Sequence, residues 1–197
     1  MAKTYLALGD SYTIGEQVLL SESFPYQTVQ LLREDGIGIC APEIIAKTGW
    51  TTDELSQAIA ATNFLKQYDF VSLLIGVNNQ YRGRDAEEYK TEFEILLQKA
   101  LEFAGDDPAK VFVLSIPDWG VTPFADVKDR NTIAREIDTY NEACKMITEK
   151  SRCTFIEITA NQREHNCAEM LAGDGLHPSG KEYNKWAVKL ASAMSNK

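Results

Sequence analysis

Short apolar runs alternate along the chain with longer amphipathic stretches. TYLAL (residues 4–8), PEIIAK (42–47), FVSLLIG (70–76), KVFVLSIP (110–117) and TFIEI (154–158) read as strands. Each is followed by a segment with apolar residues at helical spacing: SFPYQTVQLLRED, TTDELSQAIAATNFL, AEEYKTEFEILLQKALEFA, IAREIDTYNEACKMITEK and KEYNKWAVKLASAMS. Because FVSLLIG and VFVLSIP are apolar at nearly every position, they fit strands covered on both sides, as in a parallel sheet between helical layers. Right-handed crossovers then leave few topologies. Thr51 with Glu54 and Ser179 with Glu182 match the capping-box pattern at two helix starts. The recurrence of Glu92, Ile95, Leu96, Lys99 and Phe103 marks the third helix. No repeat, low-complexity tract or Pro/Ser-rich linker interrupts the pattern, so residues 1–197 are expected to form one α/β domain.

Composition narrows the function classes. With 44% hydrophobic and 25% charged residues the chain has the make-up of an ordinary globular protein. Its 29 acidic residues against 20 Lys and Arg leave a formal charge of −9. That charge repels phosphate backbones and anionic bilayers, so neither nucleic acid nor membrane insertion is expected. The acidic residues are spread along the chain and read as a solvated surface. Cys40, Cys144, Cys153 and Cys167 show no CxxC pair and no zinc-like Cys/His spacing, so they are expected as free thiols, and no metal or other cofactor is implied. The apolar run in MAKTYLALGD is shorter than the ~7–15 residues of a signal core, and no stretch approaches the ~18 that span a bilayer. A cytoplasmic location is the expectation from the chain as written.

The residues just beyond each predicted strand are the informative ones, because open parallel sheets bind ligands at the carboxyl ends of their strands. Gly9-Asp10-Ser11-Tyr12 follows the first strand, Thr48-Gly49-Trp50 the second, Gly76-Val77-Asn78-Asn79 the third, and Asp174-Gly175-Leu176-His177-Pro178 precedes the last helix. These clusters contain what acyl transfer needs. Ser11 offers an exposed hydroxyl as nucleophile and a backbone N–H at the positive end of a helix. His177 carries an imidazole, the side chain suited to proton transfer near neutral pH, and Asp174, three residues earlier, can fix its tautomer. Gly49 lets a backbone N–H approach substrate, and the Asn78 amide is a second oxyanion donor. Each residue also has a plain structural reading: Ser11 as a helix N-cap, the others as turn formers. Their joint occurrence in this order favours the catalytic one. His165, with no motif around it, is expected on the surface without a role.

Together, GDSY, Gly49, GVNN and DGLHP resemble the SGNH (GDSL-type) hydrolases, whose Ser, Gly, Asn and His blocks match Ser11, Gly49, Asn78 and His177 in order. The resemblance implies a three-layer α/β/α fold with a five-stranded parallel sheet in flavodoxin-like order 2-1-3-4-5. It also implies hydrolysis of small-molecule esters or thioesters without a metal. One position departs from the pattern: the aspartate of the family's GxND block is Asn79 here. Tyr12, Trp50, Asn79, Trp119 and Phe124 are expected along the acyl cavity, the last two on the turn-rich segment after the fourth strand. The alternatives are a carbohydrate O-acetyl esterase with the same mechanism, a non-catalytic ligand-binding module, and a nucleotide-binding α/β protein. GDSYTIG argues against the last, having neither the GxGxxG order nor the GK[ST] ending of phosphate loops.

Overall fold

The computed structural model describes residues 2–165 and 167–197. Five parallel strands, β1 (Tyr5–Asp10), β2 (Glu43–Lys47), β3 (Phe70–Leu74), β4 (Val111–Leu114) and β5 (Thr154–Ile156), form one sheet in the order β2-β1-β3-β4-β5. The three inner strands are buried along their whole length, whereas the edge strands β2 and β5 are half-buried. That difference is why the inner strands read as continuous apolar runs and PEIIAK and TFIEI do not.

Among the described residues eight α-helices accompany the sheet: α1 (Ser11–Ile14), α2 (Phe24–Glu34), α3 (Thr52–Ala60), α4 (Val77–Tyr81), α5 (Ala86–Phe103), α6 (Arg130–Lys150), α7 (Thr159–Glu164) and α8 (Gly180–Ser195). The chain steps from β1 outward to β2 and then runs the other way through β3, β4 and β5. Right-handed crossovers therefore place α2 on one face of the sheet and α3, α5 and α6 on the other. In keeping with this, α2 packs on α8, while α5 packs on both α3 and α6. Trp186 and Tyr183 of α8 are fully buried with Phe24 of α2, their rings 5.2 to 6.5 Å apart. Among the described residues no helix is long and apolar enough to cross a membrane.

Some local expectations are corrected by tertiary competition. The Thr51–Glu54 capping box forms, with Glu54 accepting from Thr51 N–H at 2.9 Å. The Ser179–Glu182 box does not: Ser179 Oγ donates to the Glu169 carbonyl, and the buried Glu182 carboxylate accepts from Trp186 Nε1 at 3.1 Å instead. On α5 the buried stripe is Tyr89, Phe93, Leu96, Leu97 and Ala100, so of the residues that marked its period Leu96 is in the core and Ile95 is 53% exposed. α6 starts three residues before the expected Ile133, because Asp129 caps it by accepting from the N–H groups of Asn131 and Thr132.

Candidate active site

Three neighbouring strands end side by side. Asp10 of β1 lies opposite Lys47 of β2, and Gly9 lies opposite Leu74 of β3, so the segments that follow converge on one patch of the sheet's carboxyl edge. After β1 the chain turns at once into α1. Asp10 is its N-cap, accepting from Tyr12 N–H at 3.0 Å. The capping role that Ser11 could have taken therefore belongs to Asp10, and the Ser11 hydroxyl, with no hydrogen-bond partner among the described residues, opens onto a cavity.

After β2 a turn closed by Trp50 N–H on the Lys47 carbonyl puts Gly49 at φ +82°, the third position of a turn, where glycine is favoured. Arg82 holds the Gly49 carbonyl at 2.6 Å from outside and pairs with Glu54 at 3.3 Å. After β3 the chain passes through Gly76 at φ +132°, where a Cβ would stand 2.6 Å from the Tyr89 ring, and enters α4. Asn78 on α4 donates its amide to the Trp50 carbonyl at 3.0 Å and, more weakly, to Asp10 Oδ2 at 3.4 Å.

The imidazole arrives from the far end of the chain. Residues 171–178 form a loop closed by a bridge between Leu171 and Pro178 and by Ala172 N–H on the His177 carbonyl at 2.8 Å. Inside it Asp174 Oδ1 accepts from the N–H groups of Leu176 and His177, each at 3.0 Å, and Oδ2 meets His177 Nδ1 at 2.6 Å. Because a carboxylate only accepts, Nδ1 carries a proton in this contact, and in the neutral ring that leaves the lone pair on Nε2. Burial alone would raise the Asp174 carboxyl, but the hydrogen bonds from the His177 ring and the two backbone N–H groups outweigh it and hold the group below its ordinary value. Tyr12 packs 5.2 Å from the His177 ring, and burial, with the Asp10 and Asp174 charges, raises its phenol far enough to keep it neutral.

One cavity of about 150 Å³ joins these parts. Ser11, Thr48, Gly49, Asn78 and His177 form its polar side, and Tyr12, Val77, Tyr81, Trp119, Phe124 and Leu176 its apolar side. No hydrogen bond among the described residues links Ser11 Oγ to His177 Nε2, and a pair of this kind is often loose before substrate arrives. Of the residues expected along the acyl cavity, Tyr12, Trp119 and Phe124 line this cavity, whereas Trp50 and Asn79 do not. Trp50 contributes its carbonyl to Asn78 and packs its ring on the core. Asn79 is fully buried and bonded to Thr52. His165 is exposed at the end of α7.

Residues 7–185 match the GDSL-like Lipase/Acylhydrolase family. The chain belongs to that family. No curated protein matches it. Among solved structures, it is similar to a lipase/acylhydrolase from Enterococcus faecalis at 16% identity, with a TM-score of 0.79 over 98% of this chain and 96% of that one. It also resembles the acetylxylan esterase Axe2 from Geobacillus stearothermophilus, at 20% identity and a TM-score of 0.76 over 98% and 94% of the two chains. A third is the psychrotrophic esterase EstA from Pseudoalteromonas sp., in a structure inhibited by monoethylphosphonate, at 15% identity and a TM-score of 0.74 over 98% and 97%. At such identities the likeness is one of fold, and the five-stranded order 2-1-3-4-5 is shared with this GDSL-like family.

Within this GDSL-like site, sequence reasoning missed Thr48, Val77, Tyr81 and Leu176 as lining residues. Val77 and Tyr81 are four residues apart on α4 and so share a face, a signal that was present but hidden by the helix's single turn. Asp10 and Gln80 were also missed, since neither touches the cavity and each acts through a neighbour.

Proposed function

We propose that this GDSL-family chain hydrolyses short acyl esters through an acyl-enzyme on Ser11. The observation that carries the reading is the His177–Asp174 pair, Nδ1 to Oδ2 at 2.6 Å, in the same small cavity as the Ser11 hydroxyl. Ser11 Oγ attacks the ester carbonyl as His177 Nε2 takes its proton. The N–H groups of Ser11 and Gly49 and the Asn78 amide stabilise the oxyanion. Nε2 then returns the proton to the departing alcohol, and a water activated by the same nitrogen cleaves the acyl-enzyme, releasing the acid and Ser11. Asp174 keeps the ring in the required tautomer and supports its transient positive charge.

A cavity of about 150 Å³ is small beside the ~300–1,000 Å³ of sites for drug-sized ligands, which favours a short acyl group over a fatty one. The same observation keeps carbohydrate O-acetyl esters as an alternative substrate class, with the sugar outside the mouth. The decisive experiment follows p-nitrophenyl acetate hydrolysis by the wild type, Ser11→Ala and His177→Ala. Each variant should lose about 1,000-fold or more in kcat. Equal rates in all three proteins would end the esterase reading.

A further inference from the structure

Two residues after Asn78, the Gln80 side chain is 5% exposed and engaged at both ends of its amide. Its Nε2 donates to Glu136 Oε2 on α6 at 2.7 Å, and its Oε1 accepts from Trp119 Nε1 at 2.7 Å. A carboxylate only accepts and an indole N–H only donates, so one orientation of the amide satisfies both partners. Glu136 thereby sets which way Gln80 points, and Gln80 sets where the Trp119 ring lies. That ring forms part of the apolar side of the cavity, edge-on to Tyr81 at 5.2 Å and to Phe124 at 6.0 Å. The loop behind it is held as well: buried Asp118 accepts from Gly120 N–H at 2.8 Å and from Arg163 Nε at 2.7 Å. The single turn of α4 therefore carries Asn78, a cavity residue in Tyr81, and between them the amide that clamps Trp119.

We infer that Gln80 is a specificity-determining positioning residue, which, oriented by Glu136, holds Trp119 as a fixed wall of the acyl cavity and so restricts the site to short acyl groups. The inference rests on the esterase reading of Ser11 and adds to it the residues that fix the limit on acyl length. The physical basis is the cost of displacing the ring: moving it aside leaves a buried indole N–H and a buried amide oxygen unpaired. A longer acyl chain has to offset that loss before it gains contact with the pocket.

The test compares wild type, Gln80→Met, Glu136→Ala and Glu136→Gln on p-nitrophenyl acetate, butyrate and octanoate. Gln80→Met and Glu136→Ala should lower the acetate-to-octanoate ratio of kcat/KM by about tenfold, mainly through a lower KM for octanoate. Glu136→Gln keeps an acceptor for Gln80 Nε2 and should hold the wild-type ratio. Acrylamide quenching of Trp119, read as the difference between each protein and its Trp119→Phe counterpart in a Ser11→Ala background, should rise in Gln80→Met. A Gln80→Met protein that unfolds at lower temperature but keeps both the wild-type ratio and the wild-type quenching would overturn the proposal, leaving Gln80 a packing residue. Absence of any ester cleavage by the wild type would instead reject the esterase reading, and the quenching arm would still decide whether the clamp exists.

Discussion

Asp10 immediately precedes Ser11, none of its surface is exposed, and it reaches both the α1 turn and the Asn78 amide. Burial lifts its carboxyl from 3.8 to about 7, against the opposing pull of the Tyr12 N–H, its own backbone N–H and the Asn78 amide. Because the folded protein holds this proton where the unfolded chain has released it, stability falls as pH rises from about 4 to about 7, and the loss is complete above that range. Asp10→Asn removes the titration. The stability of Asp10→Asn relative to wild type should therefore improve with pH across this window by up to about 4 kcal/mol and stay level beyond it. Urea unfolding of both proteins at pH values spanning the window measures it, and a gap that does not change with pH would contradict the buried-charge account. The Asp-Ser dipeptide was evident in the sequence, but the carboxylate's burial was not, because a residue at a strand end is as often solvated as enclosed.

At the level of elements, the departure at Asn79 has a tertiary explanation. Asn79 on α4 ties down the start of α3, accepting from Thr52 N–H at 3.1 Å and donating to Thr52 Oγ1 at 2.6 Å. The hydroxyl proton of Thr52 is given to Glu92 on α5, so Thr52 Oγ1 can only accept from position 79. An amide supplies that donor and a carboxylate does not. Asn79→Asp would set acceptor against acceptor and add a buried charge near Glu92. It should lower unfolding stability at neutral pH by about 1–3 kcal/mol, read by denaturant titration, and Glu92→Gln should restore part of the loss. Wild-type stability in Asn79→Asp would remove this explanation. Element order was readable from apolar runs and breakers. The partners that cross between elements were not, since Thr52, Asn79 and Glu92 are far apart in sequence.

Across the whole molecule, the proposed site depends on bringing the first tenth of the chain to its last quarter. α8 packs on α2 and fully buries Tyr183, Trp186, Leu190 and Met194, and Trp186 also lies 6.3 Å from the ring of Tyr12 beside Ser11. A chain ending at Ser179 retains every proposed site residue, yet it strips α2 of its main packing partner and opens part of the sheet face that the two helices share. It should fail to reach the cooperative folded state, seen as loss of near-UV dichroism and rapid proteolysis. A folded, protected fragment would show that α8 is dispensable.

The sequence by itself determined the order of the five strands and the five long helices, the parallel sheet, and the placing of Ser11, Gly49 and Asn78 just beyond strand ends and of His177 just before the last helix, but not the short helices α1, α4 and α7. These follow from local rules: apolar runs, helical spacing and turn residues that act within a few positions. Only the tertiary structure decided which way neighbouring side chains face. Trp50 turns to the core while Tyr81 lines the cavity, Glu182 leaves its cap for Trp186, and Gln80 takes Trp119 and Glu136 from two other segments. The reason is that a buried polar atom pairs with whatever donor or acceptor the fold brings within about 3 Å, and that partner is chosen by packing between distant segments rather than by the residues beside it.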